Sequence, residues 1–230
     1  MKILDALVDT LPPLRKVDIL ESMGQVLETL ATIHDKLELR DQADLDRKRA
    51  EGSWLKHLTV LQDLSSEQPE EKSPRQEFAI ALNNSGTKLH SSDRNAEARK
   101  QFTRIIEIYG SPKGPDDLTD EEADLVARGY GNLGWIALVE GKLEEAIQQS
   151  TMGYSFDPKQ SWIRQNLATA YLCDGRTEDA MEIFRSLQAS EVNNNAFIEV
   201  LANDFEQLRT MGVSHPEMET VLKKLGERSR

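Results

Sequence analysis

Apolar residues along this chain recur three or four positions apart, the spacing that gives a helix one buried stripe. Near the N-terminus the stripe is carried by Ile19, Leu20, Met23, Leu27, Leu30, Ile33 and Leu37, and a further apolar group follows at Trp54, Leu55, Leu58, Val60, Leu61 and Leu64. Leu82, Leu89, Phe102 and Ile105 continue it, then Tyr130, Leu133 and Ala137, then Leu167, Tyr171, Phe184 and Leu187. At the C-terminus Phe197, Ile198, Leu201, Phe205 and Leu208 form one stripe and Met218, Val221, Leu222 and Leu225 another. Within the N-terminal region, Asp41 to Glu51 interrupts the pattern. It is almost wholly polar, with Leu45 its one large apolar residue, and reads either as an exposed helix or as a hinge. The pattern predicts an all-α protein.

Turn and cap residues divide these helices. A short first helix is expected to end before Pro12 and Pro13, within an N-terminal helical region over 1–64 that serves as a cap or as an association element. Residues 65–73 are polar, carry a proline and have no apolar anchor, so they read as a linker. Ser73, Pro74 and Gln76 then fit an N-cap, a first helical position and a capping-box partner. Helical hairpins are expected over 74–110, 120–158, 160–190 and 195–228, with an insertion at about 111–126 in which Thr119 and Glu122 form a second capping box. Gly212 and Pro216 punctuate the last hairpin.

Three of these hairpins can be laid over one another. When Gly86, Gly134 and Ala168 are aligned, Asp93, Gly141 and Gly175 coincide, as do Ala98, Ala146 and Ala180, with Asn84, Asn132 and Asn166 two residues before the first column. Small residues in the first and third columns let paired helices approach closely. The middle column holds residues that tolerate a left-handed backbone. The last two copies are 34 residues apart. In these columns, this period and the segments NLGWIALVEGKLEEAI and NLATAYLCDGRTEDAMEIF, the chain resembles the tetratricopeptide repeat family over 74–194. The resemblance implies a tetratricopeptide-type solenoid of three clear repeats, with 195–230 as a degenerate hairpin capping its end. The segment DFEQLRTMGVSHPEMETVLKKL is similar to the tail after the last repeat of some prokaryotic members, so a prokaryotic tetratricopeptide protein is implied.

Composition narrows the partners. The 230 residues are 38% hydrophobic and 30% charged, with a net charge of −12, which opposes nucleic acid and anionic membrane surfaces as main partners. No apolar run is longer than five residues, as in Trp135 to Val139, too short to cross a bilayer, and Asp5 and Asp9 break any signal-peptide core, so a cytoplasmic location is expected. The single cysteine, Cys173, excludes an internal disulfide.

No convergent catalytic set is visible, so the chain is read as a non-enzyme. Gly129, Gly131 and Gly134 spell a dinucleotide-binding fingerprint, but no strand precedes them and Gly134 already belongs to a packing column. His34, His57, His90 and His215 show no metal-ligand spacing, and no metal or cofactor is expected. Cys173 lacks activating neighbours in sequence, and the glutamates at 121, 122, 144 and 145 sit in first helical turns, where they complement the macrodipole.

The family resemblance implies a concave groove lined by the first helix of each hairpin. Carried onto this chain, its peptide-binding positions are Asn83, Asn84 and Thr87; Arg128, Asn132 and Trp135; and Trp162, Gln165, Asn166 and Thr169. In the family, asparagine at the position of Asn84, Asn132 and Asn166 pairs with the backbone of a bound peptide. The cations with which some members grip acidic carboxyl tails are missing, Arg128 being the only clear one, so a neutral and partly apolar segment fits better. The expected function is an adaptor or scaffold binding a protein or peptide partner, with possible self-association through the N-terminal helices. The alternative is a regulatory or sensor subunit of a larger enzyme system, bacterial by the same resemblance, whose catalytic part lies elsewhere.

Overall fold

The computed structural model describes residues 8, 10–67, 72–112, 114–190 and 194–227. Among them there are ten α-helices, one short 3-10 turn at Pro115–Asp117 and no strand. The helices are α1 (Pro13–Lys36), α2 (Arg40–Glu67), α3 (Lys72–Ser91), α4 (Asn95–Ile108), α5 (Asp120–Val139), α6 (Leu143–Phe156), α7 (Ser161–Cys173), α8 (Thr177–Ser190), α9 (Asn194–Thr210) and α10 (Glu217–Gly226). The short helix expected before Pro12 falls largely on residues 1–7 and 9, outside the described residues. The chain divides into two compact units, Met1–Ser85 and Gly86–Arg230, so the division falls inside α3 rather than in the stretch expected to be a linker. Both ends of that stretch are helical: α2 runs on to Glu67, and Ser73, expected as an N-cap, lies inside a helix that already includes Lys72, while 68–71 fall outside the described residues.

In the first unit α1 and α2 pack along one another. Val17, Leu20, Leu27 and Ala31 of α1 and Ala43, Ala50, Leu61 and Leu64 of α2 are buried. The turn between them places Glu38 at a φ of 60°, and Leu39 donates back to the carbonyl of His34 at 2.8 Å, the left-handed closure typical of helix ends. The polar stretch Asp41–Glu51 is continuous helix, not a hinge. Its inward side is made of Ala43, Asp46 and Ala50, while Leu45 faces out. Asp46 is held there by His34 Nδ1 at 2.9 Å. Gly24 leaves room for the Trp54 indole, whose Nε1–H donates to Glu28 at 2.8 Å. A second apolar stripe, Val26, Leu30 and Ile33 of α1 with Leu37 just past its end, is between 38% and 62% exposed.

His57 is buried in the same unit, with Nδ1 unpartnered. Burial lowers its pKa from the ordinary 6.5, and Glu21, Glu77 and Asp18 oppose the shift without reversing it. Well above 6.5 the imidazole is neutral in both the folded and the unfolded chain. As the pH falls below that value, the unfolded chain takes up a proton that the folded one resists, so stability is lost on the acid side. His57→Gln flattens the dependence of Tm on pH between about 6.5 and 5 relative to the parent. A Tm profile identical in both chains would contradict this.

In the second unit successive helices pack on their neighbours, α5 against α4, α6 and α7, and α8 against α7, α9 and α10. The turn positions Asp93, Gly141 and Gly175 have φ of 58°, 71° and 82°, and Gly212 repeats the geometry at 81°. At each, the next residue's N–H reaches back to a carbonyl in the last helical turn: Arg94 to Leu89, Lys142 to Ala137, Arg176 to Tyr171 and Val213 to Leu208, all at 2.8–2.9 Å. The capping box at Thr119 is complete, with Glu122 N–H donating to Thr119 Oγ1 at 3.4 Å and Thr119 N–H donating to Glu122 at 3.0 Å, which is why α5 starts at Asp120. Arg99 of α4 reaches Glu140 at 2.9 Å and Glu145 at 2.6 Å, tying α4 to the end of α5 and the first turn of α6.

The three glycines of the apparent dinucleotide fingerprint each serve a different neighbour. A side chain at Gly129 would press on the Phe102 carbonyl of α4, 3.2 Å away, and one at Gly131 would strike the Trp162 ring of α7 at 2.6 Å. At Gly134 it would collide with the Ser150 hydroxyl of α6. One helix packs against three others because its surface is bare on three sides.

The core then runs to the C-terminus through Phe184 and Phe205, whose rings meet edge to face at 6.2 Å and 77°. Gln188 donates to the carbonyl of Leu225 at 3.0 Å, pinning the end of α10 to α8.

Candidate functional site

A cleft of about 470 Å³ opens in the second unit. It is lined by Asn132 and Trp135 of α5, by Ser161, Trp162, Gln165 and Asn166 of α7, and by Ala196, Phe197, Val200 and Asp204 of α9. The first two sets come from helices whose apolar stripes face α6 and α8, which leaves the opposite edge of each helix available to the cleft. The third set comes from the C-terminal hairpin.

Both indoles are locked. Trp135 Nε1–H donates to His90 Nε2 at 3.1 Å, and the opposite ring nitrogen of His90 donates to Asn95 Oδ1 at 2.7 Å. Trp162 lies over Gly131, and its Nε1–H donates to Gln160 Oε1 at 2.7 Å. Gln160 in turn donates to Asp124 and, at 3.2 Å, to Asp157. Asp124 also holds Arg128 Nε at 2.9 Å. With each indole N–H already satisfied inside the fold, the two tryptophans present ring surface rather than a donor to whatever enters the cleft.

The polar groups are few. Asn166 is buried and donates to the carbonyl of Gly131 at 3.4 Å. Gln165 donates to Asp204 Oδ2 at 2.6 Å. Burial raises the Asp204 pKa above the ordinary 3.8, and the Gln165 hydrogen bond offsets part of that rise.

Of the positions expected to bind a peptide, Asn132, Trp135, Trp162, Gln165 and Asn166 come together here. Asn83 and Asn84 belong to the first unit and do not line the cleft. Thr87 is exposed and also lies outside the lining. Arg128 does not line it either: its guanidinium is taken up by Asp124, and through Gln160 it contributes to the hydrogen-bond chain that orients Trp162. Thr169 is buried, 1% exposed, because it packs among the helices instead of facing a groove. The expected asparagine ladder is therefore uneven, with Asn84 exposed, Asn132 half-buried and Asn166 buried.

Sequence reasoning missed the α9 wall. Phe197, Val200 and Asp204 fall three and four residues apart beside the buried stripe of Leu201, Phe205 and Leu208, so one edge of that helix was readable as a second face. Burial pushes the Cys173 thiol up to about 11, which leaves it protonated and a poor nucleophile. Among the described residues no three His, Cys, Asp or Glu side chains gather as a metal would require, and no helix is long and apolar enough to cross a membrane. The sequence matches no protein-family model and no curated protein.

Proposed function

We propose that the chain is a tetratricopeptide-type adaptor that binds a segment of a partner protein in the cleft between α5, α7 and α9. The observation that carries the reading is the pair of locked tryptophans. Held at both ring and N–H, Trp135 and Trp162 lose little conformational freedom on binding, and rigid aromatic surface in a concave site is what concentrates binding energy. The four recurring left-handed turns and the close helix contacts at Gly131 and Gly134 support the repeat architecture on which that groove depends.

Val200 lines the cleft and is 52% exposed, so changing it leaves the core alone. Val200→Arg abolishes recovery of the partner from an extract of the native source, while Ile80→Arg, at an exposed position of the first unit, leaves it intact. Equal recovery with both variants would move the binding surface elsewhere.

The outer stripe of α1 supports a second role for the N-terminal helices. Val26, Leu30, Ile33 and Leu37 follow spacings of four, three and four, the interval of a coiled-coil seam, while the inner stripe is already covered by α2. We assign this seam to self-association. Light scattering gives a dimer for the full chain and a monomer for Leu30→Glu/Ile33→Glu. A monomeric parent would remove the assignment.

A further inference from the structure

Asp204 is out of place in a cleft meant only for an apolar segment. It sits beside Phe197 and Val200 and across from two indole rings, in surroundings that disfavour its charge. Three other carboxylates at least partly buried in this fold are each paired with a cation, and buried Glu122 takes two hydrogen bonds from Thr119. Asp46 has His34 and Arg49, Asp124 has Arg128 and Gln160, and Glu140 has Arg99 and Lys142. Asp204 receives one neutral donor, Gln165, at Oδ2, and among the described residues no lysine, arginine or histidine pairs with it.

We infer that the segment bound in the cleft presents an arginine or lysine side chain to Asp204, with an apolar residue nearby in the segment lying on the faces of Trp135 and Trp162. The inference rests on the cleft being the binding site. A cation brought to a half-buried carboxylate gains more than it would in water, because the site is already partly stripped of solvent. A segment with a neutral residue there leaves the buried charge uncompensated, so Asp204 selects against it. Arginine suits the arrangement best, since Gln165 uses only one of the acceptor sites on Oδ2 and a planar fork can still span both carboxylate oxygens. The apolar surroundings supply affinity, and the carboxylate supplies the choice of ligand.

The test uses a displayed library of random twelve-residue peptides selected on the full chain, with binders to Val200→Arg removed. The surviving peptides are expected to carry arginine or lysine within about four positions of leucine, phenylalanine or tryptophan. A synthetic survivor is expected to bind Asp204→Asn at least ~tenfold more weakly. That variant keeps an oxygen for Gln165 and sheds a desolvated charge, so its Tm is no lower than that of the parent. Asp204→Lys is expected to prefer the same peptide with glutamate replacing its basic residue, an exchange that a purely structural role for Asp204 would not produce. Survivors lacking basic residues, or binding Asp204→Asn and the parent equally, overturn the inference and leave the cleft as a binding site. A library yielding no peptide sensitive to Val200→Arg overturns both.

Discussion

Phe184→Ala lowers the unfolding free energy of the second unit by about 3–5 kcal/mol, the range for removing a buried aromatic ring. Phe184 has no exposed surface and meets Phe205 edge to face, so it joins α8 to α9 at the centre of the core that also holds Met218, Val221 and Leu225. The cavity has no easy way to close. The surrounding helices are pinned by other contacts, including the Gln188 bond to Leu225. For a unit of this size, each kcal/mol shifts Tm by about 2–4 °C, so the fall amounts to roughly 6–20 °C. Thermal melts of the parent and the variant check it. A loss below ~1 kcal/mol would mean that the C-terminal hairpin does not pack against α8 as described.

Gly153→Ala and Gly52→Ala change stability in opposite directions, although both put alanine into a helix. A methyl group at Gly153 would lie 3.0 Å from the carbonyl of Ala127, 3.1 Å from the amide of Gly131 and 3.1 Å from Ile163. Two of these neighbours are backbone of α5, and that stretch is itself wedged between α4 and α7 at Gly129 and Gly131, so it cannot give way alone. The expected loss is about 1–3 kcal/mol despite the better helix propensity of alanine. At Gly52 nothing lies within 4 Å, so the propensity term acts by itself and the chain gains roughly 0.5–1 kcal/mol. Chemical denaturation of the two variants separates the signs. A gain at Gly153 would show that α5 and α6 are farther apart than described.

Where sequence and structure agree, the reason is local. Asp93, Gly141 and Gly175 were legible as turn residues because a left-handed backbone restricts residue choice, and the capping box at Thr119 follows from two residues three apart. The helices end near the places expected for the same reason. Where they differ, the information lay in packing. Small residues were invisible as anchors, so the inward side of Asp41–Glu51, made of Ala43, Asp46 and Ala50, read as a polar surface. Leu45, the residue that hydrophobicity singles out, faces solvent. Leu20 and Leu27 of the α1 stripe are covered by α2, but Leu30 and Leu37 are not, because a helix with apolar residues on two faces can present only one of them to a single neighbour.

The candidate site shows the same limits. Helix periodicity brought Asn132, Trp135, Trp162, Gln165 and Asn166 to one side, but it could not tell a groove position from a buried one, as Thr169 shows. Arg128 was read as the cation of the groove. Its partner Asp124 is one helical turn earlier, and that pairing was available in the sequence as a spacing of four. The wall from α9 depended on how the last hairpin folds back, which no local signal specifies.

The central claim is that the partner enters the cleft between α5, α7 and α9. It is tested most directly by placing a photo-reactive phenylalanine analogue at position 200 and, separately, at position 55 on the exposed side of α2, then irradiating each chain with the captured partner. Position 200 is expected to crosslink one short segment of the partner, and Trp162→Ala in the same chain is expected to reduce that adduct. Crosslinks from position 55 alone, with none from position 200, would contradict the account.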